Sequence, residues 1–183
     1  MTDITIPDSI VDVGAFAFSG CKSLKSVVFP DHVEKIGYHS FSNCTALENI
    51  TIYRNDVLIS EDAFYDVKGI KLVEYDNAFY IGNEDNPYLM LYKAKDAFIT
   101  TCEIHPNTSI IHNDAFKGCE DLESIYIPDS VLVIGDRAFF CCFSRTISSS
   151  SSKSPLIRSS LDGSRSTRRV RSPPSASEGS AAI

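Results

Sequence analysis

Apolar positions in this chain return every 23 residues and keep their register inside each unit they outline. Ile6, Phe29, Ile52 and Ile127, each followed by Pro or Tyr, are answered 12 residues later by Phe18, Phe41, Phe64 and Phe139, and Phe116 fills the same slot behind Ile104. Cys21, Cys44, Cys119 and Cys142 stand three residues after their Phe, and Leu24, Leu47, Ile70 and Leu122 three after that Cys slot. A fixed period in the twenties, with aliphatics at fixed offsets, marks a solenoid. Each of its units buries an apolar face only against its neighbours.

Within one coil, Leu24-Lys25-Ser26-Val27-Val28-Phe29-Pro30 alternates so that Val27 and Phe29 point inward and Val28 outward, as a short strand requires. Pro30 ends that strand, because proline cannot donate to a ladder. A second apolar pair follows at Val33 and Ile36, then Gly37; the counterparts are Ile10, Val13 and Gly14, and Val131, Ile134 and Gly135. A glycine at that corner suits a turn with positive φ. A small residue then precedes each slot Phe, which predicts a single helical or 3₁₀ turn with the ring filling the coil. The expected fold is an α/β-type repeat solenoid of mostly short strands with short helical or 3₁₀ turns. Its core comprises Phe18, Phe41, Phe64, Phe116 and Phe139, with Cys21, Cys44, Cys119, Leu24, Leu47 and Leu122 beside them.

The period fails between Val73 and Ile104. Val73-Glu74-Tyr75 lies on the strand slot 23 residues after Ile50-Thr51-Ile52, but Cys102-Glu103-Ile104 comes 29 residues later. Two aromatic and aliphatic runs, 77–81 and 88–92, flank the polar Gly82-Asn83-Glu84-Asp85-Asn86-Pro87, which predicts a β-hairpin carried by a variant coil near 73–101. The solenoid is expected over 1–143 in about six coils, the last incomplete.

Residues 4–24, I-T-I-P-D-S-I-x-x-V-G-x-x-A-F-S-G-C-x-S-L, and residues 125–139, I-Y-I-P-D-S-V-L-V-I-G-D-R-A-F, resemble the BspA-like leucine-rich repeat family. The resemblance covers residues 1 to about 142. It implies a right-handed leucine-rich-repeat coil and a cell-surface or secreted adhesion or recognition protein of the kind found in bacteria and some parasitic protists. Met1 is followed at once by repeat sequence, leaving no room for a signal peptide, so further repeats of a longer parent chain are expected. The alternative is a cytoplasmic leucine-rich-repeat scaffold for protein–protein interaction.

Charge and chemistry narrow the function further. The net charge of −7 divides into −12 over residues 1–143, which hold 10 Lys and Arg against 22 Asp and Glu, and +5 over 144–183. An acidic body argues against nucleic-acid binding by the repeats. No apolar stretch reaches the ~18 residues of a membrane span. Four of the six cysteines share one repeat slot, which Val67 fills in the third coil, so structural thiols are expected there. Cys102 with His105 or His112 could imitate a nucleophile and base. However, no oxyanion hole or carboxylate pair accompanies them, and no catalysis is expected. Glu84, Asp85 and Asn86 are consecutive rather than alternate, so neither a metal nor any other cofactor is expected.

Alternation forces Thr5, Val28, Thr51, Glu74, Glu103 and Tyr126 outward, flanked by Lys25, Glu48 and Glu123. This strand face is the candidate surface for a protein or glycan ligand, with Tyr126 as its anchor. After Cys142 the pattern stops in mid-coil: Arg145, Ser148, Ser150 and Ser151 stand where aliphatics and proline are due, and 15 of the last 40 residues are Ser. The tail over 144–183 is expected to be disordered, either passive chain or the product of a frameshift or read-through intron, with a phosphorylatable Ser/Arg tail that binds RNA or partners as the alternative.

Overall fold

Each coil has room for short strands only, since proline or a polar turn cuts every alternating segment, and the longest strand of the computed structural model has 5 residues. The structure describes residues 2–60 and 62–142 and the backbone of 146–149. The first three coils contribute β1 (Asp3–Thr5) and β2 (Asp12–Val13), β3 (Ser26–Phe29) and β4 (Lys35–Ile36), and β5 (Asn49–Ile52) and β6 (Leu58–Ile59). A variant segment follows with β7 (Val73–Tyr75), β8 (Ala78–Ile81) and β9 (Met90–Ala94). Regular coils then resume with β10 (Thr101–Glu103), β11 (Ile110–Ile111), β12 (Ser124–Ile127), β13 (Val133–Ile134) and β14 (Thr146–Ser149).

Stacking equivalent strands gives two parallel ladders along the first three coils, β1-β3-β5 and β2-β4-β6. A third line of hydrogen bonds runs along the Phe turns, where the Phe16, Phe18 and Gly20 amides donate to the Tyr38, Ser40 and Ser42 carbonyls at 3.0, 2.7 and 2.8 Å. The residues between them close local turns, as Ser19 N–H does onto Phe16 O at 3.1 Å.

This alternation replaces the expected helical turn; among the described residues there is no helix, and the molecule is a β-solenoid. The reason is backbone handedness. Phe16, His39, Asp62, Asp114 and Arg137, which share one slot, have φ between 51° and 58°, and Gly20, Asn43, Asp66, Gly118 and Cys141, four residues on, have φ between 55° and 75°. Two left-handed residues per coil break any right-handed run. The glycine corner also differs from expectation: Gly14, Gly37 and Gly135 are not left-handed. Gly37 is there for close approach, because a Cβ on it would lie 2.6 Å from the Val13 carbonyl oxygen of the coil below.

The ring spine is present. Phe18 stacks on Phe41 at 5.0 Å, Phe41 on Phe64 at 5.7 Å and Phe116 on Phe139 at 5.2 Å. Phe41, Phe64, Phe116, Cys44, Cys119, Leu24, Leu47 and Leu122 are buried. Three expected core residues are not. Phe18 and Phe139 are half-buried and Cys21 is exposed, because each lies on a terminal coil of the described stack with a neighbour on one side only.

In the variant segment β7, β8 and β9 form an antiparallel meander whose last strand joins β11 and β13, in the order β13-β11-β9-β8-β7. By count, Val73-Glu74-Tyr75 belongs on the parallel ladder after β5. Instead Asp76, at φ 49°, turns the chain back and β7 pairs with β8, Tyr75 opposite Ala78. What lies beside β5 is the end of β8: Ile52 N–H donates to Gly82 O at 3.3 Å, and the Asn83 amide returns a bond to Ile52 O at 2.7 Å.

Adjacent residues of this sheet enter different cores. Ile81, Met90 and Ile110 pack into the cluster of the first three coils, and Tyr80, Leu91 and Ile111 into the cluster of the later ones. Around Tyr80-Ile81, Met90-Leu91 and Ile110-Ile111 the sheet is thus a wall buried on both faces, while Val73 and Glu74 of β7 stay exposed. Of the tail, the β14 backbone pairs with β12, Ser124 opposite Thr146 through Ile127 opposite Ser149. The rest of 143–183 lies outside the described residues.

Candidate ligand-binding face

The β1-β3-β5 ladder places Thr5 opposite Val28 and Val28 opposite Thr51. Their neighbours Val27, Phe29, Ile50 and Ile52 are buried, so this row is the outward one. Beside it Asp3, Ser26 and Asn49 are in register. Ser26 Oγ donates to Asp3 Oδ1 at 2.5 Å and Thr2 to Oδ2 at 2.7 Å, and these bonds hold the Asp3 carboxyl below its ordinary value. Lys25 and Glu48 are exposed at the strand entrances, and Glu48 pairs with Lys71 at 3.0 Å.

A second group lies on β10 and β12, where Glu103 stands opposite Tyr126 and Glu123 precedes the strand. Tyr126 is 52% exposed between buried Ile125 and Ile127. The structure does not join the two groups through Glu74 as one ladder would. Glu74 sits on β7 opposite Phe79, where Lys95 pairs with it. The link from β7 to β10 is made by side chains: Asp76 Oδ2 accepts the Glu103 N–H at 2.7 Å and the Asn77 amide donates to Thr101 O at 2.8 Å.

Between the two groups lies an aromatic cluster that periodicity alone does not disclose. Tyr88 stacks on His105 at 3.9 Å, and Tyr75 meets His105, Tyr88 and Tyr80 edge-on at 4.8, 5.8 and 6.3 Å. Burial and a hydrogen bond to Glu103 push the Tyr75 phenol up, and burial pushes Tyr80 up further, beyond any physiological ionisation. The signal for it lay in the variant segment's run of tyrosines, which only a fold can bring onto one histidine.

The titratable groups weighed for catalysis are otherwise engaged. Burial pushes the Cys102 thiol up to about 12, so it is not a thiolate near neutrality. His105 Nδ1 accepts the Asn107 N–H at 3.1 Å, and desolvation lowers the ring's pKa. His112 Nδ1 faces Asn113 O at 2.9 Å, and burial takes the ring down to about 4. In the polar loop Asn83 Oδ1 caps the Asp85 and Asn86 amides, while Glu84 accepts the Tyr53 hydroxyl at 2.7 Å. Among the described residues no three His, Cys, Asp or Glu side chains converge as metal ligands, and no helix is long and apolar enough to cross a membrane.

A β-solenoid with outward side chains in register on parallel strands is a repeat protein. The chain belongs to the BspA type leucine rich repeat family, which matches it in six copies over residues 1–84 and 92–178. The gap in the match falls on the variant segment. No curated protein matches the chain.

Solved structures similar to it include leucine-rich-repeat proteins and a vaccine antigen. A leucine rich cell surface protein from Faecalibacterium prausnitzii A2-165 is 28% identical with a TM-score of 0.36, the match covering 90% of this chain and 36% of that one. The T. pallidum leucine rich repeat protein is 22% identical with a TM-score of 0.34 over 80% and 57%. The pneumococcal vaccine antigen PcpA is 16% identical with a TM-score of 0.37 over 80% and 50%. The chain therefore spans about a third to somewhat over half of the lengths of these three.

Proposed function

We propose that this chain is a non-catalytic recognition module of a larger cell-surface leucine-rich-repeat protein, and that a protein or glycan ligand lies across its strand face. Family membership supports a binding role. The observation that carries the reading to a site is Tyr126, half-exposed on a strand between two buried isoleucines and opposite Glu103. A large amphipathic ring is among the side chains enriched at the centre of binding surfaces. The Thr5, Val28 and Thr51 row is a second part of the surface on the first coils, and Lys25, Glu48 and Glu123 border the two parts.

The test presents the purified chain to immobilised glycans and extracellular proteins. Tyr126→Ala is expected to weaken capture at least tenfold while leaving the far-ultraviolet spectrum and melting temperature within a few degrees of the parent. Unchanged capture rejects this face as the site, and loss of folding shows Tyr126 to be core.

A second reading, an intracellular scaffold, draws on the thiols: Cys44 and Cys142 donate to the Phe18 and Phe116 carbonyls at 3.1 and 2.7 Å, a use that requires them reduced. Tracking the tagged full-length gene product to the cell envelope or the cytoplasm separates the two.

A further inference from the structure

The cysteine slot holds more than filling. Cys119 and Cys142 occupy it in adjacent coils that are hydrogen-bonded on the same side, Phe116 N–H to Ala138 O at 2.7 Å and Gly118 N–H to Phe140 O at 2.8 Å. The Cys142 sulfur reaches back to the coil of Cys119, whose own sulfur is directed at Asp96 O, 3.7 Å away. Phe116 O accepts the Cys119 N–H at 3.1 Å and the Cys142 S–H at 2.7 Å. Each thiol is the first cause of the other's shift, Cys142 lowering the Cys119 pKa and Cys119 raising that of Cys142, whereas Cys21 acts on Cys44 first through its backbone. Coils stacked in ladder register bring same-slot Cα atoms to about 4.7–4.9 Å, within the roughly 4.4–6.8 Å that a disulfide spans. Cys119 is buried and Cys142 half-buried, so a small reagent has access from one side.

We propose that Cys119 and Cys142 are an oxidisable pair that closes into a coil-to-coil disulfide by exchange with a low-molecular-weight disulfide such as glutathione disulfide. Cys142, the accessible sulfur, takes one glutathione and releases the other as thiol. Cys119 then displaces the bound glutathione. In sum the glutathione S–S bond and two protein S–H bonds break, and one protein S–S bond and two glutathione S–H bonds form. The Phe116 carbonyl keeps its Cys119 N–H partner, and closure gives up only the long contact of the Cys119 sulfur to the carbonyl of exposed Asp96. The bond ties together the last two coils that carry the slot. Because such bonds persist only in oxidising surroundings, its occupancy also reports the compartment in which the chain works.

The experiment incubates the folded full chain in glutathione buffers of graded reduced-to-oxidised ratio, alkylates the remaining thiols and maps tryptic peptides without reduction. Cleavage after Lys117, Arg137 and Arg145 places Cys119 in 118–137 and Cys142 in 138–145. The expected product is that peptide pair linked, lighter by two hydrogens, formed equally in Cys141→Ser, absent in Cys119→Ser, and accompanied by a rise in melting temperature that dithiothreitol reverses. The proposal is overturned if Cys119 stays fully alkylatable while exposed Cys141 is taken, or if the link disappears in Cys141→Ser. Should Cys119→Ser not fold, the maps of the parent and of Cys141→Ser decide alone.

Discussion

A left-handed backbone costs a residue with a Cβ roughly 1–2 kcal/mol, yet Phe16, His39 and Arg137 adopt it once per coil. Nothing in those side chains announces the conformation, which is why the Phe spine was legible in the sequence and the turn beneath it was not. Glycine was legible as important but for the wrong reason. At Gly37 the constraint is the backbone of the coil below, so Gly37→Ala is expected to lower stability by about 1–3 kcal/mol, as overpacking does. At Gly20, with φ 74° and open space around it, the constraint is handedness alone. Asn43 fills the same slot, so Gly20→Asn should stay within about 0.5 kcal/mol of the parent; urea denaturation of both variants distinguishes the two causes.

His112 makes a third residue-level case. Its folded pKa of about 4 lies below the unfolded value of about 6.5, so the unfolded chain takes up the proton more readily. The neutral ring's contribution is therefore complete above pH 6.5 and lost as pH falls from there to about 4, on the order of 3 kcal/mol in all. His112→Gln is expected to flatten that part of the stability profile measured between pH 7 and 4.

Among the elements, the strands that carry inward aliphatics were readable from alternation, and so was the pair of apolar runs around the 82–87 loop. The antiparallel turn of β7 was not. Counting by 23 puts Val73-Glu74-Tyr75 on the ladder, and only the left-handed Asp76 sends it back onto β8. That departure costs the candidate face its continuity, leaving Glu74 off the row that Thr5, Val28 and Thr51 begin.

Where the ladders break, polar side chains make the joints, and Asn113 is the longest-ranged of them. Its Nδ2 donates to Ile59 O at 2.8 Å, 54 residues away, and its Oδ1 accepts the Asp136 N–H at 2.6 Å. One amide thus stitches β6 to the later coils. Removing it in Asn113→Ala should cost about 1–3 kcal/mol for each buried group that loses its partner. The accompanying signature is faster amide exchange at 57–60 and 133–136 than at the β3 and β5 strands. Uniform acceleration along the chain would show that Asn113 acts through global stability and not as a joint.

Across the whole molecule the variant segment decides whether the two runs of coils behave as one body. Regular repeats couple only through nearest neighbours, so their stability is a sum of unit and interface terms. Here the interface is the meander wall, which sends Ile81, Met90 and Ile110 into one core and Tyr80, Leu91 and Ile111 into the other. Tyr80 is fully buried, touches Tyr75 and Tyr88, and its hydroxyl accepts the His105 N–H at 3.3 Å, so it belongs to the later coils and to the aromatic cluster together.

Truncation in Tyr80→Ala is expected to cost about 3–5 kcal/mol, the range for large buried aromatics, and to fall unequally. The coils from β10 onward lose a wall contact, while β1 to β6 keep Ile81, Met90 and Ile110 on their side. Hydrogen exchange read by mass spectrometry should then resolve two opening free energies, lower at 124–127 than at 26–29, where the parent shows one. If both segments still open together in Tyr80→Ala, coupling runs through the polar joints, Asn113 to Ile59 and Asn83 with Gly82 to Ile52, rather than the wall.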